Sequence, residues 1–490
     1  MDYLWPFLEF SSGLQISLAT IVLTLAALFG GYMRVYVLPL RGKKLPPGSL
    51  GLPFIGETLS FLKAQKEDET NEWVQSRMDK HGPIFKTRVI GSNVVVLTGQ
   101  NGNKFMFNGG DNGIASNLVL SSAKILGVNS IFEVSGTRHT LVRGAIMSFL
   151  RPESIQNYVG QMDTIIKQQM KQELKGKDMI KIVPLMKKIA FNVTCRLLFR
   201  LGTKEVDEMF DDFTTAIKGT WQLPLELPGS TFKKAVQARA RIHKRFCVVL
   251  NQRRKQIAQD LIEHDVISSF LKLRDDDGKP LPDDEITDNI ITLMMASHDT
   301  STIALSHFIR HISRDKQAFN QVLKEHMDII NASSGKDGNL TWNDTQKMRL
   351  TWRVAQEIMR FTPPIFGNFK TASRDTSFGG FDIPKGWKVL WVASLTHMNN
   401  EIFENPEKFD PSRFESGSKA YPPYTYIPFG AGPRICPGAE FARIEMLLLV
   451  HHLITKYDWE EVDPNEPITR EPLPYPAFGL PIKLFPRTLV

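Results

Sequence analysis

The chain is poor in cysteine: Cys195, Cys247 and Cys436 are the only three in 490 residues, and they stand far apart. That excludes a disulfide scaffold, argues against a zinc cluster and fits a reducing compartment. It has no internal repeat, no low-complexity tract and no composition shift that would mark a linker, so the three domains suggested by length alone are not required. No flavin or nicotinamide fingerprint is present. Acidic residues are outnumbered, 52 against 60 basic, leaving a net charge of +8. That balance suits nucleic acid, a membrane surface or an acidic protein partner, and no nucleic-acid module is present to use it. What the chain does have is apolar bulk, with 31 Phe and 17 Met, enough for a large core and an adaptable apolar pocket.

One further absence is local. Residues Phe10 to Met33 contain no Asp, Glu, Lys or Arg, and the run is long enough to cross a bilayer. Arg34, Arg41, Lys43 and Lys44 follow it, which by the positive-inside rule leaves the body of the protein in the cytosol. The rival reading, a cleaved signal peptide, is opposed by the acidic Asp2 and Glu9 and by the length of the run. The expected layout is a transmembrane anchor at 10–33, a basic, proline-rich hinge at 34–56 and one catalytic domain at 57–490. On the cytosolic side the sequons at Asn192, Asn331, Asn339 and Asn343 would never meet the glycosylation machinery.

The most informative stretch surrounds the last cysteine: Pro428-Phe429-Gly430-Ala431-Gly432-Pro433-Arg434-Ile435-Cys436-Pro437-Gly438, running into an apolar helix from Ala439. An isolated cysteine is usually a buried structural residue. Here the glycines allow backbone N–H groups to gather round the sulfur, and the helix that follows adds its positive end. Phe429 is placed to shield the sulfur and Arg434 to meet a carboxylate such as a haem propionate. The chemistry is that of an anionic thiolate on haem iron.

Phe429-x-x-Gly432-x-Arg434-x-Cys436-x-Gly438 resembles the haem-binding signature of the cytochrome P-450 superfamily, and the likeness extends from about Leu45 to Arg487. The resemblance implies a mainly α fold with a smaller β region. It implies haem b ligated by Cys436, dioxygen as cosubstrate, and electrons from NADPH through a separate NADPH-cytochrome reductase docking near Cys436. Pro46-Pro47-Gly48 is similar to the proline hinge of microsomal members, which implies the endoplasmic reticulum membrane.

Other segments are read on their own residues and then by the likeness. Gly82–Leu97 reads as two strands with a turn at Gly91-Ser92-Asn93. His139 and Arg143 lie four apart on a probable helix, either a solvated basic face or, as the family implies, contacts to a haem propionate. Residues 163–273 read as helical, broken at Trp221–Gly229. That apolar loop beside Lys233, Lys234, Arg239, Arg241, Lys244 and Arg245 is either a segment dipping into membrane lipid or a packed interhelical loop. Pro282-Asp283-Asp284-Glu285 opens a long helix carrying Ala296-Ser297-His298-Asp299-Thr300-Ser301. A buried acid beside a hydroxyl must pair locally or line a wet cavity. The likeness makes Thr300 the residue that holds dioxygen and Asp299 the proton relay, with Ser297 standing where a glycine is usual.

Glu357 and Arg360 sit at i and i+3; the likeness implies that Arg413 joins them in a buried structural cluster. Ala296, Ile365, Phe366 and Phe478 are the candidate substrate contacts, Phe478 on a hairpin turning into the pocket, and Lys370 is a further candidate for a propionate. Long stretches resemble the plant clan that oxidises triterpenoids and diterpenes, implying a hydrophobic, rigid polycyclic substrate. Two other readings stay open: a haem-thiolate isomerase or dehydratase acting on hydroperoxides without a reductase, and a non-catalytic haem-binding sensor or carrier.

Overall fold

Helices carry most of the described residues in the computed structural model, which describes residues 20, 22–24, 26–27, 30–31, 40–52, 55–108, 113–261, 265–332, 339–418, 420–470 and 473–487. The longer ones are α1 (Thr58–Lys66), α2 (Thr70–His81), α3 (Gly99–Phe107), α4 (Gly136–Leu150), α5 (Val159–Leu174) and α6 (Ile182–Leu198). They continue with α7 (Thr203–Ile217), α8 (Thr231–Ala258), α9 (Asp283–Arg314), α10 (Lys316–Ala332), α11 (Arg349–Phe361) and α12 (Ala439–Lys456). Of the segment expected to cross the membrane, residues 20, 22–24, 26–27 and 30–31 are described; the rest lies outside the described residues, as do 34–39 and 53–54 of the hinge. Among the described residues no helix is long and apolar enough to cross a membrane.

A smaller β region sits at one side. β1 (Ile84–Val89), β2 (Ser92–Leu97), β3 (Ile114–Ala115), β5 (Gly367–Ala372) and β8 (Lys388–Val392) form a sheet in the order β1-β2-β8-β5-β3, in which only β2 and β8 run parallel. The other strands are β4 (Met179–Lys181), β6 (Thr376–Phe378), β7 (Phe381–Ile383), β9 (Tyr457–Glu461), β10 (Ile468–Arg470), β11 (Pro474–Pro476) and β12 (Pro481–Pro486). They pair as β4-β12-β9, β10-β11 and β6-β7.

The first hairpin corrects the expected turn. Val89 pairs with Ser92, so the turn is Ile90-Gly91, with φ of 51° and 70°, and Ser92 and Asn93 already belong to β2. Two central residues at positive φ match the twist of the flanking strands, which a turn placed further along would splay. The Val-Val-Val-Leu run of β2 is buried on both faces. Val94 and Val96 pack with Phe61, Trp73 and Phe85 towards α1 and α2, whereas Val95 and Leu97 pack with Met106, Phe107 and Trp391 towards α3.

Pro46 and Pro47 dock on the edge of this sheet. The Lys86 N–H donates to the Pro47 carbonyl at 2.8 Å and its ammonium to the Pro46 carbonyl at 2.6 Å.

α9 is the axis of the helical part. Its first turn holds Asp283, Asp284 and Glu285 and its last Arg314, charges that suit the two ends of the helix dipole. α6 packs along it, α12 crosses it, and Ile290, Ile291, Met294 and Phe308 belong to the same buried cluster as Ile189, Phe213 and Leu447.

Candidate active site

The cysteine loop closes on its own backbone. Gly430 N–H donates to the Ile427 carbonyl at 3.0 Å, Ile435 N–H to Gly432 at 3.0 Å, and Cys436 N–H to Phe429 at 2.9 Å. Gly432 stands at φ 67°, and a Cβ there would fall 1.9 Å from the Phe107 carbonyl oxygen at the end of α3. Loop and helix approach this closely only because no side chain intervenes. Gly432→Ala is therefore expected to lose about 1–2 kcal/mol from the left-handed backbone alone, with the clash in addition. Expression yield and thermal midpoint measure the loss.

Cys436 is accessible to water, yet burial is the largest influence on its thiol and raises its pKa. That combination places the sulfur at the floor of a cleft. The Gly438 backbone N–H and the Arg143 guanidinium pull in the opposite direction, towards the thiolate. Phe429 lies half-buried in the same loop.

A second opening lies on α9. From Glu285 to Ile309 every residue of the helix is buried except Met295, Ala296, Ser297 and Thr300. Ala296 and Thr300 are four apart and share a face, and the Thr300 hydroxyl donates to the Ala296 carbonyl at 2.6 Å. Ser301, next in the chain, acts on Glu445 of α12, nine residues beyond the cysteine. α9 thus packs, through Ser301, against the helix that leaves the thiol loop. Glu445 is fully buried, and burial pushes its carboxyl up to about 7; the Ser301 hydroxyl opposes this, although neither carboxyl oxygen has a hydrogen bond of good geometry.

Ser297, the departure from the family pattern, is occupied. Its hydroxyl accepts from Thr194 of α6 at 2.7 Å and donates to the Met294 carbonyl at 3.1 Å. α9 runs as unbroken helix through this turn.

Four basic side chains converge beside the cysteine loop. Burial lowers Arg143, Arg434, Lys370 and His139, Lys370 to about 8 and His139 to about 4, and their mutual repulsion lowers all but Arg143 further. Arg434 donates to the carbonyls of Ile131 at 3.1 Å and Val134 at 2.6 Å, and Lys370 to Met106 at 2.8 Å. The acid acting on Arg434 is Glu133, whose carboxylate is already engaged by the Leu118 N–H. Half-buried positive charge with so little compensation calls for an anion. A cleft with a thiol at its floor and cations at its rim fits haem bound through Cys436, its propionates on this cluster.

Asp299 is gripped on one oxygen. Oδ1 accepts from Tyr475 of β11 at 2.6 Å, lies 3.2 Å from the Lys187 ammonium of α6 and 3.1 Å from His298 Nδ1. Burial alone would raise its carboxyl, but His298, Lys187 and the Tyr475 hydroxyl outweigh it and hold the group well below the usual carboxylate range. Lys187 and Tyr475 escape sequence reasoning, because no local pattern marks either one.

Glu357 and Arg360 are completely buried and joined by two bonds of 2.8 Å, and Arg413 reaches Glu357 at 3.3 Å. Arg360 also donates to the carbonyls of His397 at 2.9 Å and Pro406 at 2.7 Å. His397 Nε2 in turn accepts from the Ile427 N–H at 3.0 Å, which ties the cluster to the base of the cysteine loop.

The substrate candidates scatter. Ala296 lines the α9 window and Ile365 is half-buried. Phe366 packs in the sheet core with Leu390 and Val392 under the Arg470 guanidinium, where the proline pair ahead of it turns the chain into β5. Phe478 is exposed on the turn after β11, where the Gly479 and Leu480 carbonyls accept from Val183 and Ile182 at the start of α6.

The family model for cytochrome P450 matches residues 46–486. A beta-amyrin 28-monooxygenase of Medicago truncatula is 37% identical over 447 residues, 90% of this chain and 92% of that protein. A taxoid 14-beta-hydroxylase of Taxus cuspidata is 35% identical over 498 residues, 100% of this chain and 98% of that protein. Among solved structures, the retinoic acid-bound cyanobacterial CYP120A1 superposes with a TM-score of 0.81 at 32% identity, covering 91% of this chain and 100% of that one. A thiol cleft under a mainly helical fold with a small β region defines a haem-thiolate enzyme. The chain belongs to the cytochrome P450 family, as a P450 monooxygenase.

Proposed function

We propose that the protein is a membrane-anchored monooxygenase of the endoplasmic reticulum that hydroxylates, or successively oxidises, a rigid polycyclic terpenoid. The observation that carries the reading is the pairing of the accessible Cys436 thiol with the Ala296–Thr300 window on an otherwise buried α9. Likeness to triterpenoid and taxoid oxygenases along most of the chain supports the substrate class.

Haem held through Cys436 would supply dioxygen activation. The residues of the chain do the rest. Arg143, Arg434 and Lys370 neutralise the propionates, with His139 beside them as a neutral donor. Ala296 and Ile365 give the substrate an apolar wall. Thr300, its hydroxyl now on the Ala296 carbonyl, turns that proton towards dioxygen, and Asp299 renews it. Electrons come from a separate NADPH-dependent reductase.

The layout of anchor at 10–33, hinge at 34–56 and catalytic domain at 57–490 goes with this reading. Trp221, Leu223, Leu225 and Leu227 are all exposed, which supports a second contact with lipid. The neighbouring cations contribute less than their number suggests, since Arg239, Arg241 and Arg245 are paired with Asp288, Asp212 and Glu208.

The test is the difference spectrum of the reduced, carbon-monoxide-bound protein in microsomes, followed by incubation with NADPH, reductase and a panel holding a β-amyrin-type triterpene and a taxoid diterpene. A thiolate-type band and a product one oxygen heavier are expected. A thiolate band with conversion of hydroperoxides in the absence of NADPH would replace the reading by the isomerase, and a haem band without thiolate character by the sensor or carrier. Thr300→Ala is expected to keep the band and substrate binding while product per NADPH falls about tenfold and peroxide rises to match. Full coupling in that variant removes Thr300 from proton delivery.

A further inference from the structure

Asp299 and Thr300 are neighbours in the chain but do not face the same way. Successive residues on a helix project about 100° apart. Thr300 belongs to the α9 window; the Asp299 carboxylate lies in the seam between α9, α6 and the β10–β11 hairpin. The titratable groups facing it there are His298 from its own helix, Lys187 from α6 and Tyr475 from β11. α7 contributes only the aromatic rings of Phe210 and Phe213, packed on His298.

The seam is built as a unit. The Lys187 ammonium lies 4.3 Å from the centre of the Tyr475 ring, so the two partners of Asp299 also bind each other. The hairpin is fixed to α9 a second time, by His307 Nε2 on the Pro474 carbonyl at 3.0 Å. Lys187 is the member that reaches water, its side chain 29% exposed against 12% for Asp299.

We propose that Tyr475 and Lys187 are positioning residues for proton delivery: they hold the Asp299 carboxylate in the seam, and its release from them towards Thr300 admits the proton. This rests on the monooxygenase reading. A carboxylate whose Oδ1 is held by three donors is a poor proton carrier, since they favour its ionised form and must be given up before the group swings. The proton enters from water beside Lys187, binds the carboxylate, passes to the Thr300 side, and leaves Asp299 ionised to be recaptured. The β10–β11 hairpin thereby governs oxygen chemistry without touching dioxygen.

The experiment uses the full-length, haem-loaded protein in lipid vesicles with an NADPH-dependent reductase and no substrate. In this state NADPH, a proton and dioxygen give NADP+ and hydrogen peroxide, and the rate is followed against pH. Tyr475→Phe and Lys187→Gln are each compared in the native background and with Asp299→Ala. Loss of one donor is expected to move the acid-side midpoint upward by about one pH unit. No movement is expected once Asp299 is replaced.

Urea unfolding of the same variants supplies a readout independent of turnover. Tyr475→Phe should lower the folding constant roughly tenfold with Asp299 present and far less without it, as for a hydrogen bond to a charged group. A pH profile unmoved by Tyr475→Phe and Lys187→Gln, even with clear coupling in urea, would reduce the seam to a structural contact and overturn the proposal. A shift that persists with Asp299→Ala would overturn it too. Absence of a thiolate-type band in the native protein would instead remove the monooxygenase reading, and the proposal with it.

Discussion

Cys436→Ser is expected to give a folded protein that has lost the thiolate signature in the carbon-monoxide difference spectrum and, with it, NADPH-driven oxygen insertion. The loop does not depend on the sulfur for its shape: its hydrogen bonds run from backbone to backbone, and the positive φ values that it requires belong to Gly430 and Gly432. A serine fits the same space. Its hydroxyl stays protonated where a thiol loses its proton to a metal, so the Gly438 N–H and Arg143 would have no anion to stabilise. The thermal midpoint of the haem-free protein should move by no more than about 1 kcal/mol in stability. Oxygenation that survives the substitution would sink the assignment of Cys436 as ligand.

The second large effect is remote from the chemistry. Glu357→Ala should abolish accumulation of haem-loaded protein. It leaves the Arg360 guanidinium in a site with no exposure, and removing one partner of a buried pair costs about 3–5 kcal/mol. The loss does not stay local. Glu357 also accepts from the Asp410 backbone and from Arg413, while Arg360 holds the carbonyls of His397 and Pro406. Through His397 the strain reaches Ile427, and from Ile427 the Gly430 turn of the cysteine loop. Haem content per milligram of protein is the measurement. Glu357→Gln, which keeps part of the hydrogen bonding but not the charge, should fall between native and Ala. Normal haem content in the Ala variant would mean that the cluster does not support the loop.

The features visible in the sequence were those whose chemistry is contiguous. The cysteine loop carries its glycines, arginine and thiol within eleven residues, and the acid and hydroxyl of α9 are adjacent. Glu357 and Arg360 were visible as a helical pair, but not the carbonyls from Pro406 and His397 that complete their cage, because loop carbonyls leave no mark in residue type. The grip on Asp299 was hidden for the same reason: Lys187 reads as one more cation of an amphipathic helix and Tyr475 as a residue of a proline-rich strand. The packing of Phe366 on Leu390 and Val392 was hidden too, because a proline pair signals a change of direction without saying which partners the next side chain will meet. Lys370 reads as a candidate for a propionate, and no local pattern marks the Met106 carbonyl and the face of Phe107 that the fold also brings to it.

The sheet and the cysteine loop also set an order of events on the ribosome. Asn103 of α3 donates to Thr396, 293 residues away, Lys370 to Met106 across 264, and His452 to Asp163 across 289. β2 waits for β8 to become its neighbour, and the cysteine loop follows β8 in the chain. Contacts this distant are slow to form and leave the earlier elements waiting with apolar surface exposed. Haem capture therefore has to follow the synthesis of Cys436, competing with aggregation of the elements made before it, and haem supply during expression should set the yield more strongly than the rate of synthesis.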